Sequence, residues 1–351
     1  MLLRRLGFAM PLVLPLVLLL GWRLGGAWNY LTVGYAFVAA PLVDALSGID
    51  TGASGPPRGS ARGWDLYFDA LLYAWLPIQL AVLAFATSVV GGLGFSAQVG
   101  LTLSVGLVTG GVGIVVAHEL GHRQGRVPRV VAGILLLSVG YLHFYIEHNQ
   151  GHHSRVATDE DPATARAGES YWHFLPRTIV QSVASAWHIE ARRLAQAGQP
   201  LISPRNRMLW AIVVPVTVAA GLWLTLGAAA GLLFAGQALV AANLLETVNY
   251  IEHYGLTRRR LPDGRYEKVG VQHSWNASQR FSNWLTFNLQ RHSHHHVQVT
   301  RRYQELEHAP GAPQLPGGYS AMLIVAMVPP LWRRLMDPRL RAWQRANGGA
   351  A

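Results

Sequence analysis

Six long apolar runs alternate with polar segments along the chain, and each approaches the roughly 20 residues that a helix needs to cross a bilayer. The runs are Gly7–Gly21, Leu31–Leu46, Ala70–Val90, Gln98–Ala117, Leu209–Leu226 and Gly231–Val248. Short turns join them in pairs, which predicts helical hairpins at about residues 7–46, 70–117 and 209–248. The pattern predicts an all-α, polytopic membrane protein with six transmembrane helices, built as a single integral-membrane domain over residues 1–351.

A seventh apolar run, Val130–Ile146, lies between two histidine-rich segments. If this run crossed the membrane, the histidines on its two sides would be separated by the bilayer and could not share a site. We therefore expect a re-entrant or in-plane helix that protein shields from lipid. An ordinary spanning helix is the alternative, because the run is nearly long enough to span.

The composition supports a membrane protein and excludes several kinds of chemistry. The chain is 51% hydrophobic and only 13% charged, whereas soluble domains carry about 25% charged residues. It has no cysteine, which excludes disulfides, thiolate-bound zinc and iron–sulfur ligation. The net charge is +11, and beside such long apolar runs this excess favours membrane lipid or an acidic partner over nucleic acid.

Arginines are concentrated on one side of the predicted hairpins, because Arg23 alone lies on a short turn. Those on the long connections include Arg4, Arg5, Arg58, Arg62, Arg123, Arg126 and Arg258–Arg260. The positive-inside rule then predicts that the amino terminus is cytoplasmic and that cytoplasmic segments 118–208 and 249–351 cover the histidine clusters. The first run could instead be a signal peptide, which would leave the remaining topology unchanged.

Histidines are clustered in three segments, at 118–122, 148–153 and 292–296. Residues four apart lie on one face of a helix, so His118 with His122, and His148 with His152, each present two imidazoles in one direction. Imidazole suits zinc, copper, iron and nickel. The spacing predicts a multinuclear, nitrogen-ligated metal site.

The segment His118-Glu119-Leu120-Gly121-His122 also fits the H-E-x-x-H pattern of zinc proteases, in which the glutamate is the general base. An intramembrane zinc metalloprotease is therefore an alternative function. A catalytic zinc site needs three protein ligands and one open position, and the chain offers more imidazoles than that. Nine imidazoles suit two metals.

Four segments resemble the signature boxes of the membrane alkane 1-monooxygenases (AlkB type), within the membrane fatty-acid desaturase/hydroxylase class. These segments are His118–His122, Glu147–His153, Asn249–Gly255 and Leu289–His296. The box with the sequence Asn-Tyr-Ile-Glu-His-Tyr-Gly is far more specific than histidine spacing alone. The resemblance extends over most of the chain and includes Asp44-x-x-x-Gly48-x-Asp50, Ala157–Pro162 and Thr300–Gln304.

The resemblance implies two non-haem iron ions on the cytoplasmic side of the bacterial inner membrane. The implied ligands are His118, His122, His148, His152, His153, His253, His292, His295 and His296. It also implies hydroxylation of the terminal methyl group of a medium-chain alkane with O2 as co-substrate. Electrons would come from rubredoxin, which an NAD(P)H-dependent reductase reduces. A methyl hydroxylase of alkyl-aromatic compounds, similar to xylene monooxygenase, is the alternative within the same chemistry.

Polar residues beside the boxes are expected to orient the metal-bound imidazoles, as outer-shell partners commonly do. They are Glu119, Glu147, Glu252, Asn249, Asp159, Asp161 and His294. The family usually has aspartate where this chain has His294. This residue lies two positions from His292, so on a helix it should point away from the metals.

Two further sets of residues follow from the expected substrate and electron donor. Aromatic residues in the first helices could end a substrate tunnel, namely Trp22, Trp28, Tyr30, Tyr35 and Phe37. Paired arginines could dock an acidic electron carrier or only anchor the protein to anionic lipid. These are Arg258, Arg259, Arg260, Arg301, Arg302, Arg333 and Arg334.

Overall fold

The computed structural model describes residues 2–52 and 62–347, and these ranges are helical, with isolated β-bridges in place of strands. Residues 53–61, which include Arg58, lie outside the described residues. The longer helices are α1 (Leu2–Leu24), α2 (Gly26–Ser47), α3 (Gly63–Gly92), α4 (Phe95–Gly121), α5 (Arg126–Ser138), α6 (residues 143–155), α7 (Tyr171–Gln196), α8 (Arg207–Leu226) and α9 (Ala228–His253). The later ones are α10 (Arg280–Leu285), α11 (His292–Val297), α12 (Tyr319–Ala326) and α13 (Pro329–Ala346).

Six of these helices, α1 to α4, α8 and α9, are long and apolar enough to cross a membrane. The prediction of an all-α fold with six membrane-spanning helices is confirmed. The hairpin turns depend on glycine, because Gly25 and Gly227 have φ angles of 78° and 93°, which residues with a Cβ rarely adopt. These turns join α1 to α2 and α8 to α9.

The run Val130–Ile146 does not form one helix. Helix α5 ends at Ser138, and α6 begins at His143 after a break that includes Gly140 at φ 66°. A helix as short as α5 is about 20 Å long at 1.5 Å per residue, whereas the hydrocarbon core is about 30 Å thick. This geometry supports the expectation that the segment does not cross the bilayer.

Buried glutamines explain how a helix can end inside the apolar core. Gln79 Nε2 donates to the Leu135 carbonyl and to Ser138 Oγ at 3.3 and 2.7 Å. Gln237 Nε2 donates to the Ser138 carbonyl at 2.9 Å. The last carbonyls of a helix lack partners within that helix, so spans α3 and α9 supply the partners that bilayer lipid cannot.

Short π-helical segments occur in three helices that border the histidines. They cover Tyr35–Ala39 in α2, Thr109–Ile114 in α4 and His148–His152 in α6. One extra residue in a helical turn changes which side chains face inward, and such turns are frequent at functional sites. These segments turn side chains of α2, α4 and α6 toward a common space.

Helices α7 and α13 enclose α9 outside the predicted spans. Ser170 caps α7 by accepting from the His173 backbone N–H at 3.3 Å. The buried Trp332 of α13 packs on Tyr250 and Tyr254 of α9, with ring centroids 5.1 and 5.3 Å apart. This aromatic packing holds the end of α9 in position, and that end carries His253.

Candidate metal centre

The nine histidines of the four boxes converge in two adjacent groups. Within each group, one ring nitrogen of every histidine lies within 4.8 Å of those of the others. The five-histidine group contains His118, His122, His148, His153 and His295, and the four-histidine group contains His152, His253, His292 and His296. The groups meet where the rings of His153 and His296 are 4.7 Å apart. The predicted pair His118 and His122 lies within one group, whereas the predicted pair His148 and His152 is divided between the two groups.

The five-histidine group is built from α4, α6 and α11. His153 Nε2 lies 3.2 Å from His122 Nε2 and 3.0 Å from His148 Nε2. The rings of His118 and His295 are 4.5 Å apart. Histidines from three separate segments, between positions 118 and 295 of the chain, therefore direct their ring nitrogens into one small space.

The four-histidine group combines the end of α9 with α6 and α11. His292 Nε2 lies 3.2 Å from His253 Nε2 and 2.9 Å from His296 Nε2. The ring of His152 lies 4.9 Å from that of His253. Because α6 contributes His152 here and His148 to the other group, one helix holds both groups together.

The donor atoms fit metal ions. Imidazole nitrogens bind such ions at about 2.0–2.1 Å, so neighbouring donors on one ion lie about 3 Å apart, as the Nε2 separations above do. Buried Nε2 atoms of His118, His152 and His295 have no hydrogen-bond partner, and a buried polar atom normally has one. A bound cation would satisfy them, and two groups imply two cations.

The histidines are held in the neutral form that metal binding requires. Burial, with a smaller contribution from His152, lowers the pKa of His122 to about 4. Burial also lowers the pKa of His148, His292 and His296 well below the usual range. Protons therefore compete weakly with a metal near neutral pH.

Two of the predicted carboxylates contact the four-histidine group. Asp161 Oδ2 lies 2.9 Å from His152 Nδ1, on the side of the ring away from the other histidines. Burial alone would raise the pKa of Asp161, but His152 and the Thr164 hydroxyl lower it below its usual value. Asp161 thus remains an acceptor that fixes the ring orientation of His152.

Glu252 approaches the same group from the inner side. Its Oε2 lies 3.1 Å from His292 Nε2, the nitrogen that faces the other histidines. Tyr319 donates its hydroxyl to the Glu252 Oε1 atom at 2.6 Å. Burial and the adjacent Glu252 raise the pKa of Tyr319 well above its usual value, so Tyr319 remains a donor. Glu252 is therefore placed to contact a metal or a molecule bound to it.

The other predicted orienting residues contact different partners. Glu119 pairs with Arg123 at 3.1 Å, and Glu147 pairs with Arg155 at 2.5 Å. Asn249 Nδ2 donates to Glu246 at 3.1 Å. Asp159 is exposed, and no contact joins it to the histidines among the described residues.

His294 points away from both groups, as its position in the box predicts. Its Nδ1 accepts from the Glu307 backbone N–H at 2.8 Å, and its Nε2 lies 3.3 Å from Arg301 Nη1. Arg301 also pairs with the Glu307 carboxylate at 3.1 Å. His294 therefore connects the histidine box to the segment that follows it.

An apolar cavity of about 100 Å³ runs between the spanning helices and ends at the histidines. Leu14, Gly111, Val115 and Leu244 are among its lining residues, and they belong to α1, α4 and α9. Polar groups at its inner end come from both histidine groups, namely His118, His148, His292 and Glu252. The cavity can bind an apolar molecule with one end against the metal centre.

Of the five aromatic residues predicted for the tunnel, Phe37 lines this cavity. Trp22 packs on Phe85 of α3, with ring centroids 4.9 Å apart, and Tyr30 lies over Gly100 of α4. Tyr35 packs on Phe281, at 6.5 Å, and Trp28 is 55% exposed. The structure places these four outside the cavity wall.

The predicted docking arginines do not form one surface of free charge. Arg302 lies near Asp65 and Asp69, at 3.9 and 3.5 Å, and Arg301 pairs with Glu307. Arg258 donates to the Glu267 and Ser154 carbonyls at 2.7 and 2.9 Å. Arg259 pairs with the Glu267 carboxylate, and Arg260 lies over the Tyr266 ring. Arg333 donates to the Gly168 carbonyl. Arg334 is exposed.

A buried polar network beside α6 was not predicted from the sequence. Glu246 of α9 accepts from Tyr141 at 2.7 Å and from Thr178 at 2.9 Å. With His143 and Glu147 it lines a small cavity that reaches His148 and His152. A carboxylate inside an apolar span is the signal that could have identified it, because such residues are rare in membranes unless they are functional.

The fold and the paired histidine groups define a multi-pass membrane protein with a histidine-rich metal-binding core. The model of the fatty acid desaturase family matches residues 93–323. Alkane 1-monooxygenase 2 of Pseudomonas aeruginosa is 40% identical over 94% of this chain and 90% of its own length. Alkane 1-monooxygenase 1 of Alcanivorax borkumensis is 39% identical over 97% and 84%. The chain belongs to the alkane 1-monooxygenase family, and it is an O2-dependent oxidoreductase.

A more distant relative is the hydroxylase component of the xylene/toluene monooxygenase of Pseudomonas putida. It is 28% identical over 93% of this chain and 86% of its own length. The alkane 1-monooxygenases share more of the sequence than this relative does. Family membership also sets aside the zinc protease suggested by the H-E-x-x-H segment.

Proposed function

We propose that the protein hydroxylates the terminal methyl group of medium-chain alkanes at a centre of two iron ions. The reaction consumes one O2, two electrons and two protons for each alcohol and water formed. The five-histidine group would hold one iron and the four-histidine group the other, so that all nine histidines are ligands. The paired groups, the cavity and the family support this assignment.

The cavity carries the proposal, because it connects the lipid-embedded part of the molecule to both histidine groups. An alkane partitions into the bilayer and can reach the centre without passing through water. Each CH2 that enters the apolar cavity contributes about 0.8 kcal/mol. His118, His148 and His292 at its inner end would meet the terminal methyl group, because an extended chain presents only its end there.

Iron with nitrogen ligands and open positions supplies the activation of dioxygen that the reaction needs. The residues of the chain position that chemistry. Asp161 fixes His152, and Tyr319 fixes Glu252 beside His292. The apolar wall excludes water from the methyl group.

Electrons would come from rubredoxin, reduced by an NAD(P)H-dependent reductase, because the chain has no cysteine with which to bind an iron–sulfur group. Rubredoxin is a soluble carrier, so the surface that it meets must face the cytoplasm. The arginine distribution supports this orientation. The histidine groups would then lie on the cytoplasmic side of the bacterial inner membrane.

The test is hydroxylation by the purified protein in lipid vesicles with rubredoxin, its reductase and NADH. Octane, hexadecane and xylene are compared, and products are identified by gas chromatography. We expect 1-octanol as the main product, with a His292→Ala variant as the inactive control. Faster conversion of xylene to methylbenzyl alcohol would favour the alkyl-aromatic function, and full activity of His292→Ala would contradict the proposed centre.

A further inference from the structure

We infer that an acidic one-electron carrier protein docks at a polar cleft between the segment 256–273 and the end of α13, and that electrons enter the four-histidine group through residues 273–275. This inference rests on the proposed function and deepens it by naming the surface and the route. It differs from docking at any exposed arginine, because among the described residues the cleft combines access, positive charge on both sides and a contact path to a histidine of the site.

The cleft has a volume of about 270 Å³ and lies outside the spanning helices. Arg259, Gln272 and His273 form one wall, and Trp343 and Gln344 of α13 form the other. Gln344 Nε2 reaches the Gly255 carbonyl at 3.5 Å, two residues after His253. The floor of the cleft is therefore the chain that leaves the four-histidine group.

Positive charge is concentrated on both sides of this cleft. Segments 257–273 and 333–347 carry ten arginine and lysine residues but only three acidic ones. Lys268, Arg341 and Arg345 are exposed, and no ion pair among the described residues neutralises them. Complementary charge accelerates encounter with an acidic protein and fixes its orientation.

A short bonded route leads from the cleft to the metal centre. His273 is a cleft residue, and the residue that follows it, Ser274, contacts the ring of His253. Ser274 Oγ lies 3.4 Å from His253 Nδ1, and the Trp275 N–H donates to the Glu252 carbonyl at 2.8 Å. His253 Nε2 faces His292 on the other side of the ring. One imidazole thus joins the cleft wall to the four-histidine group.

The other predicted docking arginines lack this combination. Arg301 and Arg302 pair with Glu307 and with Asp65 and Asp69, so much of their charge is already balanced. Their neighbour His294 points away from both histidine groups. A carrier seated there would lack the contact path through Ser274 to His253 that the cleft provides.

The test is a matched pair of charge-reversal variants in the full-length protein in vesicles or detergent. Lys268→Glu with Arg345→Glu alters the cleft. Arg192→Glu with Arg205→Glu makes the same change in net charge at exposed positions near the end of α7 and just before α8. Binding of a purified acidic rubredoxin is measured by titration at several salt concentrations, together with iron content and reduction by dithionite, which needs no docking surface.

We expect the cleft variant to raise the dissociation constant at least about tenfold and to weaken its salt dependence. The Arg192/Arg205 variant should change it less than about threefold. Iron content and dithionite reduction should be unchanged in both. Equal weakening in the two variants, or none in either, would overturn the docking site and would leave alkane hydroxylation unaffected. Failure of the unaltered protein to bind the carrier would overturn it as well, whereas absence of hydroxylation with bound carrier would instead contradict the proposed function.

Discussion

The two histidine groups are adjacent and share α6 and α11, but their polar surroundings differ. Asp161 and Glu252 contact the four-histidine group directly. The carboxylates nearest in sequence to the five-histidine group, Glu119 and Glu147, pair with arginines instead. A metal in the larger group would thus be held by imidazoles alone, whereas carboxylates would balance part of the charge in the smaller one. The difference predicts distinct roles for the two metals of the proposed centre.

The largest expected effect comes from removing one ligand from either group. His292→Ala and His295→Ala should each lower octane hydroxylation at least about 100-fold, more than the 10–100-fold typical of outer-shell changes. His294→Ala is the matched control, because it lies in the same helix and points away. Comparable loss in His294→Ala would show that the box is sensitive for structural reasons, and the ligand assignment would fail.

Removing the carboxylates should affect the two groups unequally. Asp161→Asn and Glu252→Gln should weaken metal binding at the four-histidine group by about 10–100-fold. Glu147→Gln should leave metal affinity within about threefold of the original value, because its partner is Arg155. Metal affinity is measured by competition with a chelator. Equal weakening in all three variants would remove the contrast between the groups.

A substitution that narrows the cavity should have a smaller effect on hydroxylation than the loss of a ligand or a carboxylate. An added Cβ at Gly111 would find open space, whereas at Gly110 it would meet the Ala241 Cα at 2.5 Å. Gly111→Leu should shorten the preferred alkane, with about a fourfold loss for each CH2 excluded, since 0.8 kcal/mol is lost per group.

The control for Gly111→Leu is Gly221→Leu in α8, where space is also open but no cavity wall is formed. Competition between hexane, octane and dodecane in one vessel gives the chain-length profile directly. An unchanged profile in Gly111→Leu, with activity retained, would show that the alkane does not occupy this cavity.

The smallest expected effect is that of mild acid on bound metal. Burial is the main reason that the pKa of His122 is lowered to about 4, and it also lowers the pKa of His148. A group with a lowered pKa takes up protons in the folded state only near that value, whereas in the unfolded chain it does so near 6.5.

Metal content should therefore stay constant from pH 7.5 to about 5 and fall toward pH 4, while stability of the metal-free fold declines throughout the interval below about 6.5. Metal loss is followed by dialysis and mass spectrometry at each pH. Release centred near pH 6.5 would show that the histidines are accessible to water, in contrast to the burial described here.

Sequence alone predicted the spans, because each is a continuous apolar run bounded by turns. It also predicted that His294 points away, since the residue lies on the wrong face of its helix. It did not predict helix α7, because the buried residues Tyr171, Phe174 and Thr178 are spaced among polar ones and form no run.

The sequence could not predict which aromatic residues line the cavity. Trp22 and Phe37 are both aromatic residues in the first two helices, but Trp22 packs against Phe85 while Phe37 lines the cavity. The π-helical segment at Tyr35–Ala39 changes which side chains face inward, and no apolar pattern indicates it. The division into five and four histidines depends likewise on where the folded chain places α6 and α11.

The most direct test of the two-metal centre is the metal content of the purified protein, measured by plasma mass spectrometry against protein concentration. The proposed diiron centre predicts about two iron atoms per chain, which is one for each histidine group. A His292→Ala/His296→Ala variant should retain about one iron, in the five-histidine group. One zinc per chain, with iron failing to load or to support hydroxylation, would contradict the diiron centre.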